Sequence, residues 1–118
     1  MKIPTNKKVL PLHSHTVFSL LDGVSTIKEY VKYCKEHALE ACSCTDHGYV
    51  MGLYELAKET QKEGILGIPG LEAYLCPDQD YEFKKKKFDY FHLTLWAQNQ
   101  KGYDTLLELS NLSWGDGR

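Results

Sequence analysis

Apolar residues fall into short runs separated by stretches of helical spacing, an alternation that predicts an α/β chain of βα units with a largely parallel sheet. The first run, Val9 to Ser14, predicts a strand that leads into His13-Ser14-His15. Asp22-Gly23 then marks a turn. Thr26, followed three residues later by Glu29, forms the capping box of a helix whose Ile27, Tyr30, Val31, Cys34 and Ala38 share one face. The small residues Ala41 to Thr45 predict a buried second strand that ends at Asp46-His47-Gly48. From about Val50 to Glu63 the helical period returns, with Leu53, Leu56, Ala57 and Thr60 inward and Gly64 where a left-handed cap residue belongs.

A third strand starts near Ile65 and continues through Leu71-Glu72-Ala73-Tyr74-Leu75, with a bend or bulge expected where Gly67, Pro69 and Gly70 interrupt it. Tyr90 to Ala97 alternates as a fourth strand: Phe91, Leu93, Leu95 and Ala97 take one face, His92, Thr94 and Trp96 the other. The last element, about Gln100 to Leu112, is helical with Tyr103, Leu106, Leu107 and Ser110 on one side. The polar stretch from Pro77 to Asp89 holds Lys84-Lys85-Lys86-Lys87, read as a solvated loop or hairpin tip in preference to a nucleic-acid contact. Four parallel strands cannot close a barrel, and an open half-sheet leaves an unpaired edge. Residues 1–118 are therefore expected to be a single-domain fragment, the first four βα units of a larger domain.

Composition narrows the class. Hydrophobic residues at 42%, charged at 25% and aromatic at 12% support a packed core over a disordered or fibrous chain. With 14 Lys+Arg against 16 Asp+Glu, the net charge of -2 gives no basic field over a whole face, which disfavours a nucleic-acid-coating module. No apolar run approaches the ~20 residues of a membrane span, and Met1-Lys2-Ile3-Pro4 opens without a secretion signal, so a cytoplasmic setting without a membrane partner is expected. Cys34, Cys42, Cys44 and Cys76 lack C-x-x-C spacing and read as small apolar fillers.

The chemistry lies in histidines and carboxylates near strand ends. His13 and His15 repeat at the strand period, so both rings face one way and make half of a site for Zn, Mn or Fe, or else a merely hydrogen-bonded pair. Asp22 follows the first strand, Asp46-His47 the second, Glu72 lies within the third and His92 begins the fourth. In parallel α/β folds such residues gather at the carboxyl ends of strands. Together they suit a multinuclear metal centre in which Glu72 bridges two cations and a phosphate is attacked by metal-bound hydroxide. Each has a plainer reading: His92 packed on a sheet face, Asp22 as a turn former, Asp46 as a helix N-cap. Beside a metal, Asp46 would orient ligands from the outer shell. Glu72 is the hardest to explain structurally, since a carboxylate inside an apolar strand must be paired or bound to metal. His37 reads as a cation at a helix C-terminus and takes no role. Tyr54, Tyr74, Tyr103, Trp96 and Trp114 read as core or partner contacts, and no P-loop, nucleophile elbow or dinucleotide fingerprint is present.

The runs Leu12-His13-Ser14-His15-Thr16, Phe18-Ser19-Leu20-Leu21-Asp22-Gly23, Thr45-Asp46-His47-Gly48, Gly70-Leu71-Glu72-Ala73-Tyr74 and His92-Leu93-Thr94-Leu95 resemble the PHP (polymerase and histidinol phosphatase) domain family. Ser19-Leu20-Leu21-Asp22-Gly23 and the segment from His92 through Gly102-Tyr103 to Leu107 are closer to its polymerase branch than to free-standing histidinol phosphatases. The resemblance spans nearly the whole chain. It implies the N-terminal portion of a distorted seven-stranded βα barrel, TIM-barrel-like and mostly parallel, with up to three divalent metals (Zn, Mn or Fe, with Mg also admitted). It implies that His13 and His15 serve one metal with Glu72, that Glu72 bridges to a second held by His92, and that Asp22 and His47 belong to a third. Glu72 and His47 are then the catalytic residues, with Asp46 in the outer shell. The family's remaining ligands, a histidine and a late Asp-x-His, have no counterpart here, so weak metal binding is expected of this chain alone. Cys42 and Cys44 depart from the expected aliphatic residues, and Pro69 is stiffer than the family's residue before Gly-x-Glu.

The implied parent is a replicative polymerase whose PHP domain either hydrolyses phosphoesters, as in 3′-5′ exonuclease proofreading, or supports the polymerase structurally. Its expected partners are DNA, the rest of the polymerase chain, and proofreading or clamp-associated subunits. Nucleotidyl transfer itself belongs to carboxylates far downstream in the family. The alternatives are a free-standing PHP phosphatase acting on a small phosphate monoester and a non-catalytic interaction module.

Overall fold

A computed structural model describes residues 8–75 and 90–114 of the chain. Thr26 caps α1 (Ile27–Glu36) as its spacing predicts: its hydroxyl accepts from the Glu29 N–H while the Glu29 carboxylate accepts from the Thr26 N–H. The helix buries Ile27, Val31 and Cys34 and ends at His37, whose Nδ1 donates to the Tyr33 carbonyl. Ala38, expected on the buried face, lies past this cap in a left-handed conformation and is exposed.

β1 (Ala41–Cys44) is buried at every position, and α2 (Leu53–Glu63) connects it to β2 (Leu66–Leu75). β1 and β2 are parallel, with Ala41 opposite Leu66 and Cys44 opposite Pro69, which makes β1–α2–β2 a crossover unit. α2 starts later than the spacing predicts, after Gly52, and turns Leu53, Leu56 and Thr60 inward while Ala57 stays exposed. Its C-cap is Gly64 at φ 66, a conformation glycine adopts without strain.

The sheet corrects three expectations. The Val9–Ser14 segment runs beside β1 without being a strand. Pro11 has no N–H, and the Ser14 N–H goes to the Thr45 hydroxyl instead of a carbonyl, so only Ser43 N–H to Pro11 O (3.3 Å) and Thr45 N–H to Ser14 O (2.9 Å) join the two backbones. Among the described residues there are three strands, in the order β1-β2-β3, and β3 (Phe91–Trp96) is antiparallel to β2, so the sheet is mixed instead of mostly parallel. The polar sequence between β2 and β3 offers no amphipathic helix for a parallel crossover. A bulge is also absent: β2 keeps one-to-one register throughout, and Pro69 falls where it passes from β1 to β3 as partner. Gly70 is needed there because an added Cβ would sit 2.9 Å from the Cys44 carbonyl oxygen and 2.6 Å from Thr45 Cγ2.

α3 (Gln100–Trp114) packs on β2 and β3 and buries Leu106 and Ser110, while Leu107 faces outward. The core gathers Ile27 and Val31 of α1, Leu53 and Leu56 of α2, Cys42 and Cys44 of β1, Leu71 of β2 and Leu106 of α3. Cys76, Lys84–Lys87 and the rest of Pro77–Asp89 lie outside the described residues. No helix among the described residues is long and apolar enough to cross a membrane.

Burial pushes the thiols of Cys34 and Cys44 up and that of Cys42 up to about 12, with the neighbouring Cys34 adding to the Cys42 shift. Iodoacetamide at about pH 8 is expected to leave all three unmodified in the folded chain and to label them in urea, as read by peptide mass mapping. The native state holds these protons more tightly than the unfolded state, so stability should fall as pH rises from the ordinary thiol value of 9.0 toward 12. Gly70→Ala is expected to lower stability by about 1–3 kcal/mol in urea titrations.

Candidate metal centre

Side chains alternate along β2, so Leu71 enters the core and Glu72 emerges on the opposite face, where it is only 3% exposed. The chain leaving β1 stays beside β2 through Glu72 N–H to Asp46 O (3.1 Å) and Gly48 N–H to Glu72 O (2.9 Å), which set His47 next to Glu72. His92 arrives from β3. Thr94 lies opposite Glu72 and Tyr74 opposite His92, so His92 and Glu72 are diagonal neighbours on one face. Because β3 is antiparallel, its first residues lie where β2 ends. A parallel β3 would have carried His92 to the far edge.

His13 and His15 turn the same way, with their Nε2 atoms 3.2 Å apart. Glu72 Oε2 lies 2.8 Å from His15 Nε2, 3.3 Å from His13 Nε2 and 3.3 Å from His47 Nδ1, while Oε1 lies 3.1 Å from His92 Nδ1. Asp22 Oδ2 is 2.8 Å from His47 Nε2 and 3.8 Å from His15 Nδ1. The rings of His15 and His47 stack with centroids 4.2 Å apart. The structure thus brings His13, His15, Asp22, His47, Glu72 and His92 into three overlapping groups, each with ligand atoms within 4.8 Å of one another: His13, His15 and Glu72; His15, Asp22 and His47; His47, Glu72 and His92.

This donor set fits divalent cations. His47 Nδ1 is buried without a hydrogen-bond partner, and imidazole nitrogen with carboxylate oxygen is the set that Zn, Mn or Fe takes. His37 lies away from these groups, at the end of α1.

Asp22 is a turn residue and also part of the cluster. Val17 N–H to Ser25 O (3.0 Å) closes the neck of its loop, and Leu21 takes a left-handed φ of 66 just before it. Gly23 presses on the backbone of Thr16, where an added Cβ would lie 1.9 Å from the carbonyl oxygen. The turn aims the Asp22 carboxylate at His47. That hydrogen bond, helped by the nearby charges of His15, His47 and His13 against some desolvation, holds the carboxyl below its usual range.

Asp46 is not a helix N-cap, since α2 is preceded by Gly52. It is buried, and its Oδ1 accepts from the Thr16 N–H (2.7 Å) and the Ser19 hydroxyl (2.6 Å) while Oδ2 accepts from the Thr16 hydroxyl (2.8 Å). Thr16 and Ser19 carry no local signal of this role in the sequence, because their pairing with Asp46 spans 30 and 27 residues. Tyr74 is not a core residue: it stands half-exposed at the cluster, its ring 6.0 Å from that of His47 and 5.1 Å from that of His92. Trp96 donates to the Leu12 carbonyl (2.9 Å) and so links β3 to the segment bearing His13.

The PHP domain pattern matches residues 11–118, and the chain belongs to the PHP domain family. Its curated relatives include DNA polymerase III subunit alpha of Helicobacter pylori, 42% identical over 112 residues, a match that covers 95% of this chain and 9% of that protein. The same subunit of Aquifex aeolicus is 38% identical over 120 residues, covering 95% of this chain and 10% of that protein. The chain therefore spans a tenth or less of the length of these relatives. Among solved structures, an amidohydrolase from Chromobacterium violaceum matches with a TM-score of 0.60 and 22% identity, covering 82% of this chain and 31% of that one. A protein from Bifidobacterium adolescentis named as a metal-dependent phosphoesterase matches with a TM-score of 0.59, also at 22% identity, with the same two shares. These two likenesses show a shared fold.

Asp46→Ala would leave Thr16 and Ser19 donors buried without their charged acceptor. Urea unfolding is expected to show a loss on the order of 3 kcal/mol, and Asp46→Asn a smaller one.

Proposed function

We propose that this chain is the N-terminal portion of the PHP domain of a DNA polymerase III alpha-type replicative polymerase, comprising the first βα units of a distorted seven-stranded barrel. In this reading it carries part of a multinuclear divalent-metal centre for phosphoester hydrolysis. The observation that carries the reading is Glu72, a buried carboxylate within 3.3 Å of nitrogens from four histidines. In this reading His13 and His15 would hold one metal with Glu72, Glu72 and His92 would serve a second, and Asp22 with His47 would serve a third. When bound, zinc, manganese, iron or magnesium would polarise a phosphate oxygen and lower the pKa of a bound water.

The chain's own residues act by placement. β2 fixes Glu72 so that its two oxygens face different histidines, Oε2 toward His13, His15 and His47 and Oε1 toward His92. Asp46 ties down the turn that leads to Asp22, and Tyr74 walls the side next to His47 and His92. In this scheme Glu72 and His47 would be the catalytic residues. Identity to polymerase subunits over 95% of the chain favours DNA over a small phosphate monoester as the substrate. The partners are then DNA, the remainder of the polymerase chain, and proofreading or clamp-associated subunits.

The test is titration of zinc and manganese into metal-free chain, followed by circular dichroism to establish that it is folded. Saturable binding is expected, weakened about 100-fold in His13→Ala and Glu72→Ala. Folded chain that takes up neither metal would overturn the reading. Comparison of DNA 3′ ends with p-nitrophenyl phosphate as substrates then separates polymerase-linked hydrolysis from monoester hydrolysis.

A further inference from the structure

We infer that Ser19 is a positioning residue that locks the His15 ring in the tautomer able to bind a cation through Nε2. The inference rests on the proposal that His15 is a ligand, but its core is a count of protons at one buried hydroxyl. Three groups reach Ser19 Oγ: Asp46 Oδ1 at 2.6 Å, His15 Nδ1 at 3.0 Å and the His47 N–H at 3.2 Å. A hydroxyl has one proton and two lone pairs. The His47 amide can only donate, so it takes one lone pair. The Asp46 carboxylate can only accept, so it takes the proton, in the shortest of the three contacts. One lone pair is left for His15, and Nδ1 can use it only as an N–H donor.

A neutral imidazole with its proton on Nδ1 carries its lone pair on Nε2. That is the atom facing Glu72 Oε2 at 2.8 Å and His13 Nε2 at 3.2 Å. Ser19 is 0% exposed, which keeps water from replacing any of the three partners. A ligating histidine commonly gives its second N–H directly to a carboxylate or carbonyl. Here one hydroxyl stands between the ring and the Asp46 carboxylate. The same oxygen holds the backbone of His47, so it sets the placement of both stacked rings.

The deciding experiment is nitrogen-15 NMR of histidine-labelled, metal-free chain at about pH 8, where a free imidazole is neutral. His15 is expected to show a protonated Nδ1. In Ser19→Ala it should move toward the Nε2–H form that free imidazole favours, and in Ser19→Thr, which keeps the hydroxyl, it should return. Zinc affinity should fall about 10- to 100-fold in Ser19→Ala and recover in Ser19→Thr. A His15 Nδ1 that carries no proton in the unmodified chain overturns the inference even if Ser19→Ala does not fold. So does a Ser19→Ala chain that keeps the Nδ1–H tautomer and loses only stability. The expected tautomer in a chain that binds no zinc would support the role of Ser19 and count against the metal reading instead.

Discussion

A carboxylate held inside a strand, with almost no access to water, is the constraint on which this architecture turns. An unpaired charge in such a place costs several kcal/mol, enough to consume much of the stability of a small domain. Glu72 meets that constraint at a junction of three segments: His13 Nε2 lies at hydrogen-bond distance, and nitrogens of His15, His47 and His92 stand within 3.3 Å, drawn from the 13–15 segment, the end of β1 and the start of β3. Each of those segments is shaped accordingly. The chain after β1 stays on the edge of β2 long enough to deliver His47, and β3 runs backwards so that His92 begins where it is needed.

Stability and chemistry occupy opposite faces of one strand. Leu71 points into a core built by α1, α2 and α3, while Glu72 points into the cluster, and no residue of the cluster lies on a helix. Small residues keep the two faces close together. Cys42, Ser43 and Cys44 fill β1 with little volume, and Gly70 lets β1 and the Thr45 side chain approach β2.

The features legible in the sequence were the local ones. The Thr26 and Glu29 box, the left-handed Gly64 and the period-two pairing of His13 with His15 depend on neighbours within a few residues. What escaped depended on distant partners. The Val9–Ser14 segment looks like a strand until the Thr45 hydroxyl takes the Ser14 N–H. The direction of β3 depends on a connection whose sequence carries no periodicity. Ser19 looks like an ordinary loop serine, because its three partners are His15 four residues away, Asp46 and the His47 backbone. The candidate ligands could be picked out one by one from residue type and position at strand ends, whereas their shared dependence on Glu72 is visible only in three dimensions.

β2 is the element shared by both halves of the sheet, and two of the three ligand groups include its Glu72. His13 meets Glu72 across 59 residues, a loop closure that follows local helix formation instead of guiding it. During vectorial synthesis, α1, β1 and α2 leave the ribosome before Glu72 does, so the histidines at 13, 15 and 47 emerge before the one carboxylate that lies next to all three. The cluster of histidines and carboxylates is thus a late acquisition of folding, complete only when β2 has found partners on both sides.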